Sequence, residues 1–225
     1  MCGEIGGLDL QDAPESVDRF GLAVHRDEEA SAREERLDRR RVFAEFGVAK
    51  LRISGGEPLL RHDLDRLLER LSRVEGIADV ALTTNATLLP RAAERLRKAG
   101  LGRLTVSLDS LDETVFRRMN GDKLSVAQVL DGIAAAEAAG FQRLKINCVV
   151  QKGVNDHTIL DMVRHFRETG HVLRFIEYMD VGTRNDWDLR QVVSCDEIIA
   201  AIEREFPLRP LAPKHRGEVA KRWEY

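Results

Sequence analysis

The chain has few cysteines, and they lie far apart. Its three cysteines are Cys2, Cys148 and Cys195, and none has a neighbour at the short spacing of a zinc knuckle or an iron–sulfur loop. Isolated thiols of this kind suit a reducing compartment better than a disulfide framework. We therefore predict no metal site built from clustered cysteines.

Long apolar runs and a strong charge bias are also missing. No segment approaches the roughly 18 apolar residues of a membrane span, and the N-terminus lacks the basic and apolar regions of a signal peptide. The formal net charge of -3 is too small to indicate nucleic-acid binding. We expect a cytoplasmic protein that binds neither nucleic acid nor membrane, and in which any anion site is local.

From residue 48 onward, strand-like segments alternate with helix-like segments, which is the pattern of a parallel sheet covered by helices. Apolar stripes indicate helices in residues 63–74 and 155–166. Other helices are indicated by start and stop signals, namely Pro90 with Gly100, and the capping boxes Ser125 with Gln128 and Ser194 with Glu197. We predict no strand before Val48.

Residues 1–41 do not show this alternation of strand-like and helix-like segments. They include the mixed-charge run HRDEEASAREERLDRRR at 25–41, which we interpret as a solvated helix face or a poorly ordered lead-in, with a partner surface as the alternative. We therefore divide the chain into an atypical N-terminal segment, residues 1–41, and an α/β core, residues 42–225.

The predicted strands alternate between polar and apolar residues, whereas a parallel strand with two buried faces is usually apolar throughout. One parity is polar and carries Arg52, Ser54, Thr105, Ser107, Asp109, Lys145 and Asn147. Because successive side chains point to opposite faces, the apolar set can pack against helices while the polar set converges on the other side. We predict a curved sheet or partial (βα) barrel with a polar lumen.

Two cations, Arg52 and Lys145, fall in this predicted lumen. Burying unpaired cations is costly, so they indicate an anionic ligand, with internal pairing to Asp109 or Glu177 as the alternative. In barrels of this type, ligands meet the C-terminal ends of the strands. Polar residues follow four strands, in 54–57, 83–85, 107–109 and 177–180, and we predict that they form a site.

An ordered series of motifs carries a family resemblance. It consists of GGEP (55–58), LTTN (82–85), VSLD (106–109), KINCVVQKGVND (145–156) and FIEYMDVG (175–182), followed by Trp187. From about Val42 to Tyr225 the chain resembles the radical S-adenosylmethionine family and, within it, the GTP 3',8-cyclases of molybdenum cofactor biosynthesis. The resemblance implies a partial (βα)6 barrel, S-adenosylmethionine and [4Fe–4S] clusters as cofactors, and GTP as substrate.

The same resemblance implies a set of site residues. Those that match the S-adenosylmethionine site are Gly55, Gly56, Glu57, Ser107 and Met179, and those that match the GTP site are Arg52, Thr83 and Lys145. Taken by themselves, the residues leave other interpretations open. The two glycines could form only a tight turn capped by Glu57, Thr83 could be an ordinary strand residue, and Met179 could be an ordinary core residue.

The chain also departs from the family pattern. Neither of the family's two cysteine triplets is present, and Ala86 stands where the family usually has glycine. We therefore expect a chain truncated at both ends, without the first strand and the C-terminal cluster region, and unable to run the radical reaction. The alternatives are a non-catalytic nucleotide-binding or interaction remnant of the family, and a barrel enzyme of unrelated chemistry. Loss of the first strand would uncover the edge of the strand at 48–54, which a homodimer or a second chain could cover.

Overall fold

The computed structural model of the chain describes Glu4–Ile5, Leu8–Gln11 and residues 46–179, 188–213, 218 and 220–225. The mixed-charge run at 25–41, Cys2 and Trp187 lie outside the described residues, and the division at residue 42 stays a prediction. None of the helices in the described part has the length and apolarity that a bilayer crossing requires.

One sheet runs through the described residues. Its strands are β1 (Glu4–Ile5), β2 (Leu8–Gln11), β3 (Lys50–Ile53), β4 (Asp79–Thr84), β5 (Arg103–Ser107), β6 (Lys145–Val150), β7 (Val172–Glu177), β8 (Arg209–Leu211) and β9 (Lys221–Glu224). Their spatial order is β3-β4-β5-β6-β7-β1-β2-β9-β8. Strands β3 to β7 run parallel to one another, and their C-terminal ends therefore share one edge of the sheet.

Helices connect the parallel strands. They are α1 (Leu64–Ser72), α2 (Leu89–Lys98), α3 (Glu113–Asn120), α4 (Val126–Ala138), α5 (Ile159–Phe166) and α6 (Cys195–Glu203). Short 3₁₀ turns lie at Pro58–Leu60, Asp156–Thr158 and Leu189–Gln191. This alternation confirms the predicted α/β fold, with a parallel sheet of the partial-barrel type.

Local sequence signals set the helix ends. Both predicted capping boxes form. In each box the serine side chain accepts from the backbone N–H of the residue three positions later, and the Gln or Glu side chain of that later residue accepts from the backbone N–H of the serine. Pro90 lies in the first turn of α2, where its missing N–H costs no helical hydrogen bond. These two kinds of prediction are confirmed.

The prediction that no strand precedes Val48 is wrong. β1 pairs antiparallel with β2 and with β7, and β2 pairs antiparallel with β9. The two strands are two and four residues long, which is too short for a period-two pattern to be recognised. Their partners lie at the far end of the chain, so nothing local reveals them. They do not cover the outer strand, because among the described residues β3 pairs with β4 alone.

The main core lies between the helices and one face of the sheet. In β6 the alternation is strict, with Ile146, Cys148 and Val150 buried and the residues between them partly exposed. The same apolar cluster contains helix residues such as Leu68, Leu96, Phe116, Ile133, Met162, Phe166 and Ile198. The apolar parity thus packs against the helices, as the sequence predicts, and the polar parity lies on the other face.

A buried histidine links the start of β7 to the end of α4. Nε2 of His171 lies 3.2 Å from Oε1 of Glu137, and the His171 side chain is 4% exposed. Burial lowers the pKa of His171 from its usual value of 6.5, and the Glu137 carboxylate opposes this shift. The folded chain therefore takes up a proton at this position less readily than the unfolded chain does.

This site predicts a pH-dependent stability. The free energy of unfolding should decrease as the pH falls below about 6.5, since the unfolded state then binds a proton that the folded state resists. His171→Gln should flatten that decrease, measured by urea unfolding at neutral and at mildly acidic pH. His62→Gln, at an exposed histidine, is the matched control and should keep the parent's pH dependence. The same dependence in His171→Gln as in the parent would contradict the prediction.

Candidate ligand-binding site

Neighbouring strands bring the residues predicted for GTP onto one face of the sheet. The register places Thr83 of β4 beside Thr105 of β5, and Thr105 beside Lys145 of β6. Arg52 of β3 reaches across this face, where its Nη1 donates to Oγ1 of Thr83 at 3.2 Å and to Oγ1 of Thr105 at 3.3 Å. The structure therefore brings Arg52, Thr83 and Lys145 together.

Other cations surround the Arg52 guanidinium. Partial burial against the sheet, followed by repulsion from Arg174 and Arg103, lowers the pKa of Arg52, and the Asp79 carboxylate opposes the shift. Among the described residues Arg52 makes no ion pair with Asp109 or Glu177, so the predicted alternative of internal pairing does not hold for this arginine. An anion bound beside Arg52 would therefore offset the repulsion between these like charges.

Arg174 is a site residue that sequence reasoning missed. It lies in the middle of β7 with 6% of its surface exposed, and the register places it beside Asn147 of β6, which lies beside Ser107 of β5. Arg174 thus shares the polar face with the predicted residues. An arginine between the apolar residues of the strand VLRFIE is a signal that could have identified it.

The amide of Asn147 carries a buried acceptor without a partner. Its Oδ1 is inaccessible to solvent and accepts no hydrogen bond from the residues that the structure describes. An unsatisfied buried acceptor costs about 1–3 kcal/mol, so native structures seldom keep one unless something else satisfies it. Asn147 lies between Ser107 and Arg174 on the polar face.

The GGEP turn after β3 is open on its outer side. Gly55 has a φ of +153°, a backbone conformation that favours glycine. A Cβ atom built on Gly55 or on Gly56 would meet no atom of the described residues within 4 Å, so packing against that part of the chain does not require glycine here. The turn instead leaves exposed backbone that a ligand can approach.

Glu57 holds this turn to the end of β4. Its Oε1 accepts from the backbone N–H of Leu59 at 3.0 Å and from Oγ1 of Thr84 at 2.7 Å, and its Oε2 accepts from the backbone N–H of Asn85 at 2.8 Å. Glu57 therefore caps the turn, as one interpretation of the sequence states, and it also contacts the end of β4. A carboxylate accepts about four hydrogen bonds, so one acceptor position remains, on Oε2.

Ser107 and Met179 lie at the same edge of the sheet as the GGEP turn. Ser107 is the last residue of β5, and Met179 follows the end of β7 by two residues. Both are partly exposed, so Met179 is not a buried core residue. The structure therefore places all the residues predicted for S-adenosylmethionine after parallel strands at one edge.

Asn155 of the motif QKGVND forms hydrogen bonds with the strand ends at this edge. Asn155 is 1% exposed, and its Nδ2 donates to the backbone oxygens of Asp109 at 2.7 Å and Val149 at 2.8 Å. Its Oδ1 accepts from the backbone N–H of Gln151 at 2.8 Å. Asn155 thus ties the end of β5 to the end of β6, and we expect this to fix the two strand ends that carry the site.

The described cysteines do not fit an iron–sulfur cluster. Cys148 is 1% exposed and lies on the helix-facing side of β6, and Cys195 at the start of α6 is also buried. Burial, followed by the nearby Asp109 carboxylate, raises the pKa of the Cys148 thiol well above its usual value, whereas a metal ligand must be a thiolate. Among the described residues, no group of three or more His, Cys, Asp or Glu side chains could hold a metal ion.

Comparison with known proteins adds a family assignment to this geometry. Residues 18–166 match the model of the Radical SAM superfamily. The chain is 58% identical over 182 residues to a GTP 3',8-cyclase of Xanthomonas axonopodis pv. citri, covering 81% of this chain and 54% of that one. It is 48% identical over 184 residues to a GTP 3',8-cyclase of Staphylococcus saprophyticus, covering 82% and 54%.

A solved structure agrees at the level of the fold. Coproporphyrinogen III oxidase from Escherichia coli, a radical SAM enzyme, superposes with a TM-score of 0.54 at 18% identity, covering 81% of this chain and 46% of that chain. The chain spans about half the length of the curated relatives that it matches. The match of the family model, the parallel sheet and the GGEP turn at its C-terminal edge agree, and the chain belongs to the radical SAM superfamily.

Proposed function

We propose that the chain provides the S-adenosylmethionine-binding and GTP-binding face of a GTP 3',8-cyclase. The observation that carries the proposal is the row of cations and hydroxyls on the polar face of β3 to β7, next to an open GGEP turn. The relatives named GTP 3',8-cyclase support the choice of ligands. In this proposal the enzyme acts in molybdenum cofactor biosynthesis.

For GTP, the supporting feature is the set of cations on the polar face. Arg52 and Lys145, with Arg174 in the next row, would lie near the triphosphate, whose charge they match. Thr83 already accepts from the Arg52 guanidinium, so it would hold that guanidinium in place for the phosphate oxygens.

For S-adenosylmethionine, the supporting feature is the edge formed by Gly55, Gly56 and Glu57 together with Ser107 and Met179. The open glycine backbone would admit the methionine part of the cofactor. Its ammonium group would donate to the remaining acceptor position of Glu57 and to backbone oxygens of the turn. The one vacant position on the carboxylate cannot satisfy all three ammonium hydrogens.

The superfamily also implies a [4Fe–4S] cluster, which supplies the electron that cleaves S-adenosylmethionine. Because both described cysteines are buried, no step through a cluster is assigned to this chain's own residues. This observation favours the second candidate, a non-catalytic nucleotide-binding member of the family. We further propose a cytoplasmic location, and a homodimer or second chain that pairs with the edge of β3.

Binding measurements test the proposal. Arg52→Met and Lys145→Met should each weaken GTP binding about tenfold or more, because each removes a charge-assisted contact to phosphate. Binding of guanosine, which lacks the phosphates, should change little. Arg91→Met, at an exposed position on α2, is the control and should bind GTP as the parent does.

Two results would contradict the proposal. One is failure of the parent chain to bind GTP at millimolar concentration, and the other is an equal loss of guanosine and GTP binding in Arg52→Met. Anaerobic reconstitution with iron and sulfide separates the two candidate functions. A reducible cluster seen by EPR, with release of deoxyadenosine, would favour the cyclase over the non-catalytic binding protein.

A further inference from the structure

We propose that Thr84 is a positioning residue for Glu57, and that it sets which carboxylate oxygen receives the ammonium group of S-adenosylmethionine. The inference rests on the proposed function. It goes further by assigning a role to Thr84, a residue on the buried side of β4 that belongs to the motif LTTN but has no role among the site residues named above.

The hydrogen bonds of the Thr84 hydroxyl have only one consistent direction. Its Oγ1 accepts from the backbone N–H of Ala86 at 3.0 Å, and it lies 2.7 Å from Oε1 of Glu57. A hydroxyl has a single hydrogen, and a carboxylate oxygen can only accept it, so Thr84 donates to Glu57. Thr84 is 3% exposed, so water competes little for this hydrogen bond.

The donors around Glu57 leave its two oxygens unequal. Oε1 is filled by the backbone N–H of Leu59 and the Thr84 hydroxyl. Among the residues that the structure describes, Oε2 accepts from the backbone N–H of Asn85 alone, so one acceptor position on it stays available to a ligand. Removing the Thr84 hydroxyl would free a position on Oε1 and release one of three bonds that fix the carboxylate. The ammonium group would then meet a carboxylate with less defined orientation.

Helix α4 supports this arrangement from behind. Ala86, the donor to Thr84, has a φ of +65°, which is uncommon for a residue with a side chain. Gly132 of α4 packs directly against it, since a Cβ built on Gly132 would lie 2.1 Å from the Ala86 carbonyl oxygen. The turn that directs the Thr84 hydroxyl is therefore held by long-range packing as well as by its own sequence.

The test compares two hydroxyl-free variants with one that keeps the hydroxyl. Thr84→Val and Thr84→Ala remove it, and Thr84→Ser retains it. The probes are S-adenosylmethionine and 5'-methylthioadenosine, a nucleoside thioether without the amino-acid group, measured by calorimetry on the full chain. We expect Thr84→Val to bind S-adenosylmethionine about tenfold more weakly, because the Glu57 carboxylate loses one of the three hydrogen bonds that fix its orientation before the ligand binds. Binding of methylthioadenosine should be unchanged, and Thr84→Ser should restore the parent's affinity for both.

The ligand without an ammonium group separates positioning from a general structural effect. Equal losses for the two probes, or no loss for S-adenosylmethionine, would overturn the inference alone. If Thr84→Val does not fold, as judged by its thermal transition, the same comparison with Thr84→Ala decides. Failure of the parent to bind S-adenosylmethionine would overturn the proposed function and this inference with it.

Discussion

Replacing Gly132 by alanine is expected to lower the free energy of unfolding by about 3 kcal/mol, the upper part of the usual range for overpacking. Helix propensity argues in the opposite direction, because alanine is favoured over glycine inside a helix by about 1 kcal/mol. The close contact with Ala86 outweighs helix propensity, so we expect a net loss of stability. The added Cβ would lie 2.1 Å from the Ala86 carbonyl oxygen and 2.9 Å from the Ala86 Cβ, so the backbone of one element must move.

Urea unfolding of the purified variant measures this loss. Asp131→Ala, at an exposed position on the same helix, is the matched control and should be neutral or slightly stabilising through helix propensity. Ala86→Gly should not rescue Gly132→Ala, because the shorter distance is to a backbone oxygen that glycine also has. Equal stability of Gly132→Ala and the parent would show that α4 does not support the turn.

Replacing Asn155 by leucine is expected to cost about 4 kcal/mol of stability. The change leaves two backbone carbonyls and one backbone N–H without their partners, and each buried unsatisfied group costs about 1–3 kcal/mol. The affected groups are those of Asp109, Val149 and Gln151. Since leucine is close to asparagine in size, the loss would come from hydrogen bonding rather than from a cavity.

The control for Asn155 is another asparagine that contacts the same segment. Asn120 donates to Oδ2 of Asp109 at 3.1 Å but is exposed, so water can replace it in Asn120→Ala and the expected loss is below about 1 kcal/mol. Chemical unfolding followed by circular dichroism measures both variants. Similar losses in the two would contradict the argument that burial of the Asn155 network sets its contribution.

The sequence predicts the strands and helices of the core well because their signals are local. Capping boxes at Ser125 and Ser194 fix two helix starts, and strict polar alternation in β6 separates a ligand face from a core face. The family resemblance implied Arg52, Thr83 and Lys145 as the candidate GTP residues, and the local pattern supported the two cations among them. Arg52 and Lys145 stand out as cations at the polar parity of strands, and the parallel register then brings them to one face.

Other features could not be predicted, since they depend on residues far apart in the sequence. β1 and β2 form by pairing with β7 and β9. A pattern of two to four residues cannot predict such long-range pairing. Arg174 was overlooked because its strand is otherwise apolar, and only its register with Asn147 shows that it belongs to the polar face. The unusual Ala86 is visible in the sequence, but its positive φ is not.

By itself, the sequence determined that this is an α/β protein with a parallel sheet, a polar face and a GGEP turn at a strand end. These follow from alternation and from capping, which act over a few residues. Tertiary structure alone decided how Glu57 is used. Its carboxylate is oriented by Thr84 and Asn85 at the end of the neighbouring strand, and Gly132 of a distant helix packs against the turn that follows. Such contacts depend on the three-dimensional packing of separate elements, so a local sequence pattern cannot predict them.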